Sequence, residues 1–124
     1  EEEGTEAWLL SDAQKRFGPQ SEPGLIEWYA AEGGKTRAEV VLALQGCLLQ
    51  EDLTPLLPHI SAPTLILAAA QDEITPPEVQ RLMAELMPNA RLRTFEGVGH
   101  NMKVEIPDLL AGSVRDFIGE IESG

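Results

Sequence analysis

Two side chains in this 124-residue sequence could act together as an acid–base pair: Asp72 and His100. Each follows a run that has the length of a β-strand. If the two runs are neighbouring parallel strands, about 5 Å apart, a loop carboxylate and a loop imidazole can meet at one rim of the sheet. A carboxylate that accepts a hydrogen bond from Nδ1 fixes the histidine tautomer and stabilises the imidazolium after Nε2 takes a proton from a nucleophile. The pair therefore predicts two of the three members of a nucleophilic triad.

A strand, a helix and a second strand are predicted to position this pair. Residues 64–69 form a short continuous apolar run, which is typical of a strand buried on both faces. Residues 75–87 repeat apolar side chains at three- and four-residue steps, and a capping box of Thr75 and Glu78 is expected to open this helix. Residues 90–95 are predicted as a second strand near a sheet edge, because charged side chains alternate there. A right-handed crossover would make the two strands parallel.

The same residues leave other interpretations open. Asp72, Glu73 and His100 could hold a metal in principle, but adjacent acidic residues with one histidine lack the spacing of a metal site. Asp72 could also be an ordinary solvated carboxylate, as is expected for Glu73. Gly97 and Gly99 favour the chemical interpretation, because glycine allows the positive φ that a turn before His100 requires. No metal site is predicted.

Three short motifs extend the pattern around the acid–base pair. Their residues are Pro63, Thr64, Leu65, Ile66, Asp72 and Pro76, then Gly97, Val98, Gly99 and His100, then Glu105, Ile106 and Pro107. In this order, over residues 60–121, they resemble the C-terminal part of the α/β-hydrolase superfamily. The resemblance implies an α/β fold in which Asp72 is the triad acid and His100 is the general base. Its nearest group contains the 3-oxoadipate enol-lactonases and similar small esterases, which implies a carboxylic ester or lactone as substrate.

The nucleophile of this family lies in a G-x-S-x-G motif on a strand-to-helix turn, and the sequence has no such motif. None of the five serines has a glycine both two positions before and two positions after it, and Cys47 falls inside a predicted helix where a core position is expected. Ala69 and Ala70 stand where the family often has glycine, which is a mild change of turn geometry. A complete enzyme of this architecture needs about twice this length. The resemblance therefore implies a hydrolase fragment that supplies acid and base and is inactive alone.

Helices dominate the predicted structure outside the strand-helix-strand unit. Before residue 58, three helices are predicted, over residues 6–17, 25–31 and 36–50. A capping box of Thr36 and Glu39 is expected to open the third. Its inward stripe is predicted to comprise Val40, Val41, Leu44, Cys47 and Leu48. A last helix, over residues 107–121, is predicted to bury Leu109, Leu110, Val114, Phe117, Ile118 and Ile121.

The resemblance divides the chain into a helical cap-like segment, residues 1–58, and a C-terminal part of the hydrolase core, residues 59–124. A cap lies over the active site in this family and shapes substrate choice. Trp8, Trp28 and Tyr29 could therefore line an acyl pocket. Aromatic side chains at helical spacing are also common packing residues, and that alternative stays open.

Composition excludes several classes of partner. The 21 acidic residues against 9 basic ones give a net charge of −12, so neither nucleic acid nor an anionic membrane is an expected partner. No apolar run reaches the roughly 18 residues of a membrane span, and no signal-like start is present. The single cysteine excludes an intrachain disulfide and fits a reducing compartment. The sequence predicts a soluble, cytoplasmic protein without a cofactor.

Two functional interpretations remain. The first is the acid–base portion of an ester or lactone hydrolase whose serine lies in other sequence. The second is a non-catalytic association module, because the strand Thr64–Ala69 lacks the neighbour that it has in the family and exposes an apolar edge. On that ground the chain is expected to bind the absent N-terminal part or to self-associate, most simply as a two-fold homodimer that pairs those strands.

Overall fold

A computed structural model describes residues 4–124, and residues 1–3 of the predicted cap-like segment lie outside the described residues. The elements are α1 (Thr5–Ser11), α2 (Ala13–Arg16), α3 (Pro23–Gly34), α4 (Ala38–Leu48), a 3-10 helix (Thr54–His59), β1 (Thr64–Ala69), α5 (Pro77–Leu86), β2 (Ala90–Phe95), α6 (Met102–Glu105) and α7 (Pro107–Ser123). The predicted α/β class, with a helical segment before a strand-helix-strand-helix unit, is confirmed.

The two strands form a parallel sheet with the bounds that the sequence predicted. Thr64 lies opposite Ala90 at one end of the ladder, and Ala69 lies opposite Phe95 at the other. Helix α5 packs against both strands, as a strand-helix-strand crossover requires. Both strands therefore point their carboxyl ends to the same rim, where the loops that carry Asp72 and His100 begin.

A hydrophobic core lies directly beneath this rim. Ala69, Phe95 and Val98 form a buried cluster at the carboxyl ends of the strands. The partly buried side chains packed against it are Leu67, Met102, Ile106 and Leu110. Because close-packed side chains resist displacement, this cluster fixes the origin of both loops.

The N-terminal helices have a small packed centre of their own. Helix α1 packs against α3, and Leu9 and Ala30 are buried between them. The ring of Phe17 meets the ring of Tyr29 edge-on, with centroids 5.3 Å apart and an interplanar angle of 81°. The predicted helix over residues 6–17 is interrupted at Asp12, whose carboxylate lies 3.0 Å from Lys15 Nζ and anchors the start of the short α2.

Both predicted capping boxes are wrong. Helix α4 begins at Ala38, with Arg37 as its N-cap residue and no side-chain hydrogen bond to the cap. Helix α5 begins at Pro77, with Pro76 as its N-cap residue and no side-chain hydrogen bond to the cap, while the hydroxyl of Thr75 donates to the carboxylate of Asp72. A capping side chain accepts a hydrogen bond from a backbone amide of the first turn, and the side chain of Thr75 is instead directed to the carboxylate of Asp72.

The two long apolar stripes are largely exposed, contrary to the prediction. In α4, the side chains of Val40, Leu44 and Leu48 are exposed, Leu44 at 60%, and Cys47 is exposed rather than in a core. In α7, the exposed members are Leu109, Val114, Ile118 and Ile121. Each stripe has the predicted periodicity. No helix or strand of residues 4–124 packs closely along α4, whereas α7 contacts α6 and places Leu110 against the buried cluster. Within the same range, no helix has the length and apolarity needed to cross a bilayer.

Candidate active site

The hydrogen-bond ladder of the sheet continues beyond both strand ends. The backbone amide of Ala70 donates to the carbonyl of Phe95 at 2.9 Å, and the amide of Gln71 donates to the carbonyl of Val98 at 3.0 Å. The amide of Val98 donates in return to Oε1 of Gln71 at 3.0 Å. These bonds hold the two loops side by side, and they bring Asp72 next to the loop that carries His100.

Asp72 and His100 meet at this rim. Nδ1 of His100 lies 3.0 Å from Oδ2 and 3.2 Å from Oδ1 of Asp72. The Asp72 residue is 6% exposed, whereas the side chain of His100 is 30% exposed. Within residues 4–124, no hydrogen bond occupies Nε2 of His100, so that nitrogen can exchange a proton with a neighbouring group. The geometry is that of a buried carboxylate orienting a half-buried imidazole.

A turn built on Asp72 itself holds its carboxylate. Oδ1 accepts hydrogen bonds from the backbone amides of Ile74 and Thr75, both at 2.9 Å, and Oδ2 accepts one from Oγ1 of Thr75 at 2.7 Å. Burial raises the pKa of Asp72, but the bonds from Thr75, His100 and Ile74 outweigh burial and hold this pKa below its usual 3.8. The carboxylate is therefore ionised at neutral pH and able to stabilise an imidazolium.

Glycines shape the loop before His100 in two different ways. Gly97 has a φ of 74°, which is the positive φ predicted for it. Gly99 does not adopt positive φ, so that prediction is wrong for this residue. Its role is close approach: a Cβ at Gly99 would lie 2.5 Å from the carbonyl carbon of Phe17 and 2.6 Å from the amide nitrogen of Gly18. The loop thus packs directly on the backbone that follows α2.

The structure gives roles to two residues to which the sequence assigned none at the site. Thr75 was expected to cap a helix, yet its hydroxyl and amide both bind Asp72. An aspartate three residues before a threonine is the spacing of such a side-chain turn, and it was the available signal. Glu105 belonged to a quoted motif, and its carboxylate accepts hydrogen bonds from Gly18, Ser21 and Gly99. Two of these partners, Gly18 and Ser21, lie 87 and 84 positions away, too far along the chain for sequence spacing to reveal them.

Of the three aromatic residues expected at an acyl pocket, Trp8 alone lines a cavity that Ile74 and Thr75 also line. Its ring packs under the guanidinium of Arg16 at 4.7 Å, and it lines an open cavity of about 660 Å³. Other residues lining this cavity are Val40, Val41, Leu44, Leu48, Ile74 and Thr75. Trp28 is 52% exposed and Tyr29 packs on Phe17; neither lines the cavity. The assignment of all three to a substrate pocket stays a prediction.

Metal ligation receives no support from the described residues. Residues 4–124 contain no group of three or more histidine, cysteine, aspartate or glutamate side chains gathered as metal ligands. Glu73, the third member of the metal alternative, is exposed.

Comparison with known proteins shows which family the chain matches. The model of the alpha/beta hydrolase fold family matches residues 4–107. The bifunctional esterase/perhydrolase DCH of Acinetobacter calcoaceticus is 31% identical over 102 residues, which cover 79% of this chain and 36% of that protein. A non-heme chloroperoxidase of Streptomyces lividans is 30% identical over 104 residues, which cover 83% of this chain and 38% of that protein.

A solved structure extends the similarity to nearly the whole chain. The thermophilic esterase from Thermogutta terrifontis superposes with a TM-score of 0.80 at 26% identity, covering 92% of this chain and 44% of that one. The chain thus spans about two fifths of the length of the relatives that it matches.

Proposed function

This chain belongs to the α/β-hydrolase fold family, and from that premise we propose that it is the acid–base portion of a hydrolase acting on a carboxylic ester or lactone. In this proposal Asp72 is the orienting acid, His100 is the general base, and a serine from sequence outside this chain is the nucleophile. The observation that carries the proposal is the 3.0 Å contact between Nδ1 of His100 and the buried carboxylate of Asp72. Two of the similar proteins are named as esterases, which supports the substrate class.

The serines of the chain support an external nucleophile. A triad serine donates its hydroxyl to the imidazole of the base. Four serine hydroxyls donate elsewhere: Ser11 to Trp8 O, Ser21 to Glu105, Ser113 to Leu109 O and Ser123 to Gly119 O. We therefore expect the 124-residue chain alone to hydrolyse neither esters nor lactones, because an acid and a base without a nucleophile leave no covalent step.

The test compares the chain alone with the complete protein from its source, using p-nitrophenyl acetate as the ester and δ-valerolactone as the lactone. In the complete protein, His100→Ala and Asp72→Asn should each lower kcat by about 10⁴-fold, because tautomer and base are lost. His59→Ala and Asp52→Asn, at exposed positions, are the matched controls and should leave kcat unchanged.

Two results would contradict this assignment. One is full activity of the His100→Ala protein with either substrate. The other is hydrolysis by the 124-residue chain alone that disappears in His100→Ala, which would mean that the nucleophile is inside the chain. Comparing the two substrates also separates an esterase from a lactonase.

A second candidate is self-association through the edge of β1. It is favoured by the sheet, in which β1 pairs with β2 alone within residues 4–124. A two-fold dimer through the Thr64–Ala69 edge would satisfy the free backbone groups of that strand. Because each chain carries a net charge of −12, the dimer fraction in sedimentation velocity should rise between 20 mM and 500 mM salt. A single monomeric species at every concentration and salt level would refute the dimer.

A further inference from the structure

The segment between α2 and α3, residues 17–21, is bound to the loop that carries His100. We call this segment the α2–α3 linker. Immediately before it, at the last residue of α2, the carbonyl of Arg16 accepts a hydrogen bond from the amide of Asn101 at 3.0 Å. Further along, the amide of Gly18 and the hydroxyl of Ser21 donate to Oε2 of Glu105, at 2.8 and 2.7 Å. These bonds tie the linker and the residue before it to Asn101 and Glu105, which both follow His100.

Glu105 completes the connection on the histidine side. Its Oε1 accepts a hydrogen bond from the amide of Gly99 at 3.1 Å, one residue before His100. One carboxylate thus holds two linker donors and one donor of the histidine loop. Hydrogen bonds to an ionised acceptor are about twice as strong as neutral ones, so this bridge is a firm link between segments 87 positions apart.

At two glycines, the backbones of the linker and of the loop that carries His100 lie in direct contact, with no side chain between them. A Cβ at Gly18 would lie 2.2 Å from the carbonyl oxygen of Gly97, and a Cβ at Gly99 would lie 2.5 Å from the carbonyl carbon of Phe17. The two backbones are in direct contact on either side of the Glu105 bridge. Because packed backbone cannot be compressed, a displacement of the linker must either move the loop or break the bridge.

We propose that Glu105 is a positioning residue for the base: it transmits the position of the α2–α3 linker to His100 through the amide of Gly99. This inference rests on the function proposed above, because it gives a role to a residue that acts through His100. Movement of the helices that the linker joins then changes how the His100 ring sits against Asp72. Glu105 itself stays away from the reacting atoms and touches neither member of the pair.

The test uses ¹⁵N-labelled 124-residue chain and reads the ring-nitrogen chemical shifts of its two histidines. Glu105→Gln keeps the size of the side chain, but its amide nitrogen cannot accept, so either Gly18 or Gly99 loses its partner. Amide hydrogen exchange of the glycine left without an acceptor should accelerate about tenfold, and the His100 ring shifts should move. His59 is the internal reference, and exposed Glu96→Gln is the matched control; neither should change.

A second substitution tests whether Glu105 transmits the position of the linker to His100. Ser21→Ala removes one bond on the linker side only, and it should move the His100 ring signals in the same direction by a smaller amount. In the Glu105→Gln background, Ser21→Ala should add no further movement. Ser11→Ala, which removes a hydroxyl bond elsewhere in the helical segment, is the matched control.

Three results would overturn the proposal. The first is faster amide exchange in Glu105→Gln with unmoved His100 signals, since Glu105 would then be structural only. The second is an equal effect of Ser21→Ala in both backgrounds. The third is a Ser21→Ala protein whose His100 signals do not move. If circular dichroism shows that Glu105→Gln does not fold, the comparison of Ser21→Ala with Ser11→Ala decides. None of these readouts requires hydrolysis, so a failure here leaves the proposed hydrolase function standing.

Discussion

Replacing Thr75 by valine would remove one hydroxyl and keep the shape of the side chain. In the structure that hydroxyl donates to Oδ2 of Asp72 at 2.7 Å, while the Thr75 amide continues to hold Oδ1. A hydrogen bond to a charged group contributes about 1.5–3 kcal/mol to stability. Thr75 is on the exposed side of the turn, where water can replace part of the bond. We therefore expect Thr75→Val to lower the free energy of unfolding by about 1.5 kcal/mol at pH 7. For a chain of this length that corresponds to a Tm lower by about 6 °C.

The pH dependence of this loss identifies its origin. The pKa of Asp72 is held below its usual 3.8 in the folded chain, so its hydrogen bonds stabilise the fold above the unfolded pKa of about 3.9. That contribution is lost as the pH falls through the folded pKa. Removing the Thr75 hydroxyl raises the folded pKa of Asp72, so the difference between wild type and Thr75→Val should shrink once the pH falls below about 4.

Urea unfolding at pH 7 and at pH 3 measures both quantities. Thr75→Ser keeps the hydroxyl and is the matched control, expected close to wild type at both pH values. The reasoning would be refuted by an equal loss of stability for Thr75→Val at pH 7 and pH 3, or by a Thr75→Ser variant as unstable as Thr75→Val. Either outcome would mean that the hydroxyl does not act through the ionised carboxylate.

Two further substitutions test the packing around the site, each by urea unfolding. Gly99→Ala should lower the free energy of unfolding by about 1–3 kcal/mol, because its Cβ would lie 2.5 Å from the carbonyl carbon of Phe17. Gly112→Ala, on α7 with open space around its Cβ, should instead raise the free energy of unfolding by about 0.5–1 kcal/mol. A change of the same sign in both variants would contradict the close approach at Gly99. Phe95→Ala should lower the free energy of unfolding by about 3–5 kcal/mol. If this loss is smaller than the loss for Phe117→Ala, at a half-buried position, the core beneath the rim is misassigned.

The local pattern of apolar and polar residues was sufficient to predict the two strands, their parallel pairing and the contact between Asp72 and His100. The apolar run of Thr64–Ala69 and the alternating run of Ala90–Phe95 gave correct strand bounds, and the helical repeat between them predicted parallel pairing. Parallel strands share a rim, so the contact between Asp72 and His100 could be predicted before any coordinates. Each step uses periodicity over a few residues, which sequence records directly.

Competition between partners is what local pattern could not resolve. Thr75 had the spacing of a capping residue, but its side chain binds the buried carboxylate three residues earlier, and Pro76 is the N-cap residue of the helix. The periodicity of α4 predicted an inward stripe, yet burial depends on a neighbour, and Leu44 and Leu48 remain exposed. A stripe reports which face of a helix is apolar, and only the arrangement of other elements decides whether that face is covered.

The sequence by itself determined the strands, the parallel rim, and the meeting of an aspartate with a histidine, because each follows from short-range periodicity and chain direction. The tertiary structure alone decided that Glu105 binds Gly18 from the other end of the chain, and that Gly99 is needed for backbone contact with Phe17. Both depend on which distant segments pack together. That choice comes from the sum of many weak contacts over the whole chain, and no spacing within a motif encodes it.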